Sequence, residues 1–211
     1  MFRNRVARFI VTIISLSVVS AHAEKLIQLK VGPGWPRAIR ENKSKTALDA
    51  SILYGASFDR KVAIGAGVDF LADVNTDDTL LSGNVYRRNM IEKTFMFPVS
   101  GFIALTPIPD FRIHPCISGQ VGFNTVYFSH KDNSIESADT AKDYDEDGFY
   151  IGFFWQIAAD AIFSLSENIG LFAGLEYQWS EPKKVNKDSD DQFTKRNMSG
   201  ISIRMGLRIV Y

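Results

Sequence analysis

Polar and apolar side chains alternate along most of this 211-residue chain, and that period confines it to β-structure. The C-terminal stretch shows it most cleanly. Ile201, Ile203, Met205, Leu207, Ile209 and Tyr211 take every second position, with Ser202, Arg204, Gly206 and Arg208 between them. A strand sends the two sets to opposite faces, whereas a helix mixes them. The period recurs in stretches running from Leu48 to Phe58, Val62 to Phe70, Phe95 to Leu105, Phe111 to Tyr127, Phe149 to Ile157 and Ile169 to Trp179, which makes seven strands. A weaker eighth runs from Ile27 to Trp35, with Gln28 and Lys30 on its polar face and Pro33 as an interruption. An up-and-down barrel whose two ends meet on one side needs an even number of strands, and eight satisfies that parity.

The first residues follow a different rule. Arg3, Arg5 and Arg8 precede an apolar stretch from Phe9 to Ser20, and Ala21-His22-Ala23 then places small residues where a signal peptidase reads them. Residues 1–23 therefore read as a secretory signal peptide cut before Glu24, leaving a single domain over 24–211. The apolar stretch is too short to cross a bilayer as a helix, and no later run is long enough either. A helical membrane bundle is excluded, which leaves an exported soluble β-domain or a transmembrane β-barrel. The single Cys116 permits no intrachain disulfide. Basic and acidic residues balance at 24 each, so no cationic excess suits nucleic acid. Losing the three signal arginines leaves 21 basic against 24 acidic residues, a net charge of −3.

Between the expected strands, the connections at 36–45, 59–61, 75–93, 106–110, 129–148, 164–168 and 180–197 alternate long and short. Short turns on one side and long loops on the other are the habit of bacterial outer-membrane barrels. Lysine separates the two exported classes. With these boundaries none falls inside strands two to eight, although a soluble barrel needs charge along its outer face. The polar face instead carries Gly, Ser, Ala, Gln and a few charges, which suits a narrow packed lumen. The apolar face places Trp35, Phe95, Tyr127, Phe149, Tyr177 and Trp179 towards the long loops, and Phe58, Phe111 and Tyr211 towards the short turns. These are two aromatic girdles. The expected fold class is all-β, an eight-stranded antiparallel up-and-down transmembrane barrel.

On that architecture, and on its C-terminal strand, the chain resembles small bacterial outer-membrane β-barrels of the OmpA transmembrane domain, OmpX and opacity-protein type. The resemblance spans Glu24 to Tyr211. It implies residence in the bacterial outer membrane, contact with outer-membrane lipid and lipopolysaccharide, and a monomeric state. It also implies an assembly signal, read by the outer-membrane assembly machinery, at Leu207, Ile209 and Tyr211. A periplasmic peptidoglycan-binding domain is expected to be lacking. Members that deacylate lipid A need a membrane-facing His and Ser pair. Here His114 and His130 are the only histidines after the signal, and neither begins a His-x-Ser motif.

The lumen-facing charges expected from parity are Asp49, Asp69, Asp73, Asp160, Glu176, Arg112, Arg204 and Arg208, with Lys30 if the first strand is right. Eight strands leave little room beyond side chains, so these charges should pair into a filling network. Asp160, Arg112 and Arg208 are expected near the short turns, and Glu176, Asp49 and Arg204 higher. His114 and Cys116 share one face at a two-residue spacing, which could couple a thiol to a base, but no third orienting group is identifiable. Asp143-Tyr144-Asp145-Glu146-Asp147-Gly148 reads D-x-D-x-D-G, half of a calcium loop, with Phe154 where the closing Glu belongs. Calcium at Asp143, Asp145 and Asp147 competes with a solvated acidic loop, since 129–148 carries a net −5. Loop 36–45 carries +3 and suits phosphorylated lipid; loop 75–93 offers Leu80, Leu81, Val85, Tyr86, Met90 and Ile91 to a partner or an extended wall. The expected role is structural or surface-interacting, without enzymatic activity or a cofactor. A narrow channel is the main alternative and an outer-membrane lipid-modifying enzyme the lesser one. An extracellular ligand is left unspecified.

Overall fold

A computed structural model of the protein describes residues 23–36, 46–81, 86–137, 140–185 and 195–211. Nine strands follow in chain order: β1 (Glu24–Pro36), β2 (Ala47–Phe58), β3 (Val62–Leu81), β4 (Tyr86–Leu105), β5 (Ile113–Ser137), β6 (Thr140–Ser164), β7 (Ile169–Ser180), β8 (Lys183–Lys184) and β9 (Gly200–Val210). Eight of them form the wall, each antiparallel to its neighbours in sequence; β8 is a two-residue piece laid against Tyr150 and Ile151 of β6. Pairing of β1 with β9, from Leu26 opposite Val210 to Pro36 opposite Gly200, closes the ring. Lys25 and Tyr211 exchange backbone hydrogen bonds of 2.7 and 2.9 Å, so the strand ends meet at the short-turn end. The chain is thus a closed eight-stranded antiparallel barrel with no free edge.

The faces are inverted relative to a water-soluble protein. Every strand sends its apolar set outwards: Ile52, Val68, Val99, Val121, Phe153, Leu175 and Ile203 are all exposed on the outer wall. The polar set is buried inside, including Gln28, Asp49, Asp69, Gln120, Gln156, Glu176 and Arg204. Near the long-hairpin end, the rings of Phe70, Phe95, Tyr127 and Phe149 make a chain of contacts across four strands, with centroids 5.0 to 6.5 Å apart. Trp155 and Tyr177 extend the aromatic surface, 5.6 Å apart. Phe111 and Tyr211 are exposed at the opposite end.

Two of the expected loops are largely strand. β3 and β4 stay paired as far as Leu81 and Tyr86, and β5 and β6 as far as Ser137 and Thr140. Lys93, Lys131 and Lys142 consequently lie within strands, which corrects the lysine-free reading of the wall. Lys93 and Lys131 lie beyond the aromatic chain and are exposed, so the apolar zone itself remains free of them. The expected loop 36–45 falls almost wholly outside the described residues, as do the signal segment and the centre of 180–197.

The short turns follow from local chemistry. Phe58 O accepts a 3.0 Å hydrogen bond from Lys61 N across Asp59 and Arg60, whose φ angles are 49° and 55°. Two left-handed residues inside a four-residue turn give type I′ geometry, whose twist matches that of a hairpin.

Candidate functional site

Alternation sends a narrow set of side chains into the lumen, and these sort into three layers. Nearest the short turns, Leu26, Leu53, Phe102, Cys116, Ile162 and Phe172 belong to one buried apolar cluster. Towards the long hairpins, Leu71, Met96, Val126, Phe128, Tyr150 and Met198 belong to a second. Between them lies a charged and amide-rich layer. Hydrophobic period alone cannot reveal these two inner apolar layers, because their members sit at positions of the polar face.

Arg204 is the hub of the middle layer and is 2% exposed. Its Nε and Nη2 donate to Asp49 Oδ2 at 2.9 and 2.7 Å. Its Nη1 donates to Asp69 Oδ1 at 2.9 Å and to Ser51 Oγ at 3.1 Å. Nη2 also pairs with Glu176 Oε1. Ser202 Oγ donates to Asp49 Oδ2 at 2.7 Å, completing that carboxylate's shell. Lys30 joins the second half of the network, 3.7 Å from Asp160 and 4.0 Å from Glu176, with its ammonium 5.5 Å from the centre of the Phe172 ring. Beside the charges, Gln120, Gln156 and Gln178 stand opposite one another across β5, β6 and β7, and Ser100 Oγ donates to Gln120 Oε1 at 2.8 Å. A guanidinium sharing its fork among three carboxylates is a rigid, directional cross-brace between β2, β3, β7 and β9.

The other expected site residues are distributed as follows. Asp73 is buried at an inward position of β3. Arg112 does not enter the lumen: it precedes β5, is exposed, and lies over the Phe163 ring at 4.9 Å. The apolar alternation continues through Phe111, but the strand begins only at Ile113, so parity counted from Phe111 misassigned Arg112. Arg208 is buried yet apart from Arg204, donating to Thr106 Oγ1 at 3.3 Å. Leu207, Ile209 and Tyr211 follow the outward parity at the end of β9 and just beyond it.

His114 and Cys116 both point inwards. Cys116 is 2% exposed and packs in the lower apolar cluster, while His114 Nδ1 lies 3.0 Å from Phe111 O. His130, the other histidine after the signal, is also buried inside, so neither faces the outer wall. Asp143, Asp145 and Asp147 stand at alternate positions of β6, opposite Asn133, Lys131 and Ser129 of β5. The segment is extended strand, where expectation had a loop. A calcium loop wraps its ligands around the ion, whereas alternate strand positions run in line about 6.6 Å apart. No group of three or more metal-ligating side chains comes together among the described residues.

Sequence reading missed a cluster at the upper lumen. Arg196 lies 3.2 Å from the Phe128 ring centre and 5.1 Å from that of Tyr150. His130 Nδ1 lies 3.5 Å from Glu92 Oε2, and its ring stacks on Phe128 at 6.2 Å. Arg196 sits in an irregular segment before β9, and Glu92 and His130 sit where apolar alternation has ended. Only continued strand parity past the aromatic girdle could have found the latter two.

No protein-family model and no curated protein matches this sequence. Among solved structures the chain is similar to Neisserial surface protein A, at 12% identity and a TM-score of 0.48 over 89% of this chain and 96% of that one. It is similar to Ail, the attachment invasion locus protein of Yersinia pestis, at 10% identity and a TM-score of 0.44 over 90% and 97%. A major outer membrane protein from Thermus thermophilus matches at 13% identity and a TM-score of 0.45 over 90% and 100%. The fold is a closed eight-stranded antiparallel β-barrel.

Proposed function

We propose that the protein is exported by its 1–23 signal peptide and resides in the bacterial outer membrane as a closed, internally braced barrel. Its role on this reading is structural or surface-interacting, exercised through the long-hairpin end. The observation that carries the reading is the inverted wall: a closed ring with large apolar side chains outside and buried charges inside. A bilayer stabilises such a surface, and water does not. Leu207, Ile209 and Tyr211 would then present the aromatic-ended strand to the assembly machinery, and the girdles would sit in outer-membrane lipid and lipopolysaccharide.

The layered lumen favours this reading over a channel. An ion crossing it would have to shed water among Leu53, Phe102 and Phe172 and again among Met96, Phe128 and Tyr150. Apolar constrictions of that kind impose the desolvation cost of the ion with nothing to replace its hydration shell. The purified protein in a planar bilayer should give no discrete conductance steps. Reproducible steps would establish a channel instead. The membrane assignment has its own check. On a denaturing gel the unboiled folded protein should migrate differently from the boiled one, and recovery from the soluble periplasm without such a shift would refute it.

A further inference from the structure

Arg208 occupies an unusual position for a buried cation. It is 6% exposed, its single hydrogen bond among the described residues goes to the hydroxyl of Thr106, and no carboxylate among them lies within 4.0 Å of it. Asp160 of the middle layer and Glu24 act on Arg208 electrostatically without pairing with it, and Asp160 is engaged by Lys30. A guanidinium has five N–H donors, and removing it from water without an acceptor is costly. Arg208 lines a cavity of about 420 Å³ at the short-turn mouth, bounded by the 106–112 and 165–168 connections. Gly170 stands directly opposite Arg208 on β7 and lines the same cavity. Ile162 and Val210, members of the lower apolar cluster, also line the cavity.

The remaining lining is biased the same way. Arg60, Arg112 and Arg208 face it with His114, against the carboxylates of Asp110 and Glu167. Arg60 is partly engaged by Glu24 at 3.7 Å, and Arg112 by the Phe163 ring. His114 donates Nδ1–H to Phe111 O, so the Nε2 of its neutral ring is an acceptor and adds no donor for an anion.

We propose that this mouth is a binding site for a small oxyanion, a phosphate or carboxylate group, gripped by Arg208 with Arg112 and Arg60 around it. The planar fork of an arginine donates to two oxygens of either group at once. The placing of the site on the periplasmic side rests on the membrane reading above; the site itself does not.

The test uses the whole refolded barrel in uncharged detergent micelles at constant ionic strength. Titration with sodium phosphate, and separately with sodium acetate, should move the Arg208 side-chain nitrogen resonance saturably. The tighter of the two identifies the phosphate or the carboxylate as the ligand group. Arg208→Met should weaken that binding roughly tenfold or more, the scale of a lost charge-assisted bidentate contact. Glu167→Gln removes a carboxylate of the lining without touching Arg208 and should tighten the binding. No saturable shift with either anion, or unchanged affinity in Arg208→Met, overturns the proposal. If Arg208→Met does not refold, the native titration and Glu167→Gln decide alone, and an unaltered affinity in Glu167→Gln then counts against it.

Discussion

Arg204 holds Asp49, Asp69 and Glu176 in one place, and each of those carboxylates is buried where no bulk water can replace it. Removing one member of such a group leaves uncompensated charge, which costs about 3–5 kcal/mol. Arg204→Met should therefore lower the unfolding free energy of the refolded barrel, read by urea titration, by that much or prevent refolding. Adding Asp49→Asn, Asp69→Asn and Glu176→Gln to the same variant should recover most of the loss. A different residue-scale strain sits in the Asp59-Arg60 turn, where both residues are left-handed. Arg60→Gly should stabilise the barrel by about 0.5–1 kcal/mol, since glycine adopts that conformation without a Cβ penalty. The half-exposed ion pair to Glu24 that it removes contributes little. Equal or lower stability of Arg60→Gly in urea unfolding would contradict this account of the turn.

At the scale of elements, closure depends on how near β9 approaches β1. A Cβ on Gly206 would overlap the carbonyl oxygen of Leu29 and stand 2.7 Å from the Phe172 ring. Neither yields easily: one is backbone, the other a ring of the lower apolar layer beneath Lys30. Gly206→Val should part β1 from β9, so that the folded band on an unboiled gel is lost or greatly reduced. The strands of the upper hairpins teach a separate lesson. From Asn75 to Leu81 and from Tyr86 to Lys93 the chain is as regularly paired as it is lower down, yet its sequence reads as loop. On the membrane reading, apolar alternation arises because one face meets lipid. Beyond the girdle of Phe95, Tyr127 and Phe149 the outer face no longer has to be apolar, and the period disappears although the hydrogen-bonded ladder continues. Glu92 and His130 were overlooked for that reason, and Asp143 to Asp147 were read as a loop for the same one.

For the whole molecule, the orientation of the faces sets the energetics. Val121 lies on β5 between Ile113 and the girdle residue Tyr127, with over half of its surface exposed on the outer wall. Val121→Arg should destabilise the barrel in lipid vesicles by about 2–4 kcal/mol, as expected for a cation at bilayer mid-depth. Val121→Leu should be nearly neutral there. A tolerated arginine would mean that this wall meets water, and the membrane reading would fall with it.

The eight wall strands, their order and the inward parity of Lys30, Asp49, Asp69, Asp160, Glu176, Arg204 and Arg208 could all be read from one line of residues. Alternation at period two is a local property, and a wall with an apolar outer face and a polar lumen imposes it at every second position. What required the folded chain was distance around the ring. Arg204 and Asp49 are separated by 155 residues in sequence yet share a hydrogen bond, and no spacing rule connects them. Parity likewise cannot say that Arg204 has three carboxylates while Arg208, four residues further along the same face, has only a hydroxyl as hydrogen-bond partner among the described residues. Register, stagger and closure decide which inward groups meet, because each depends on all eight strands together and on none of them alone.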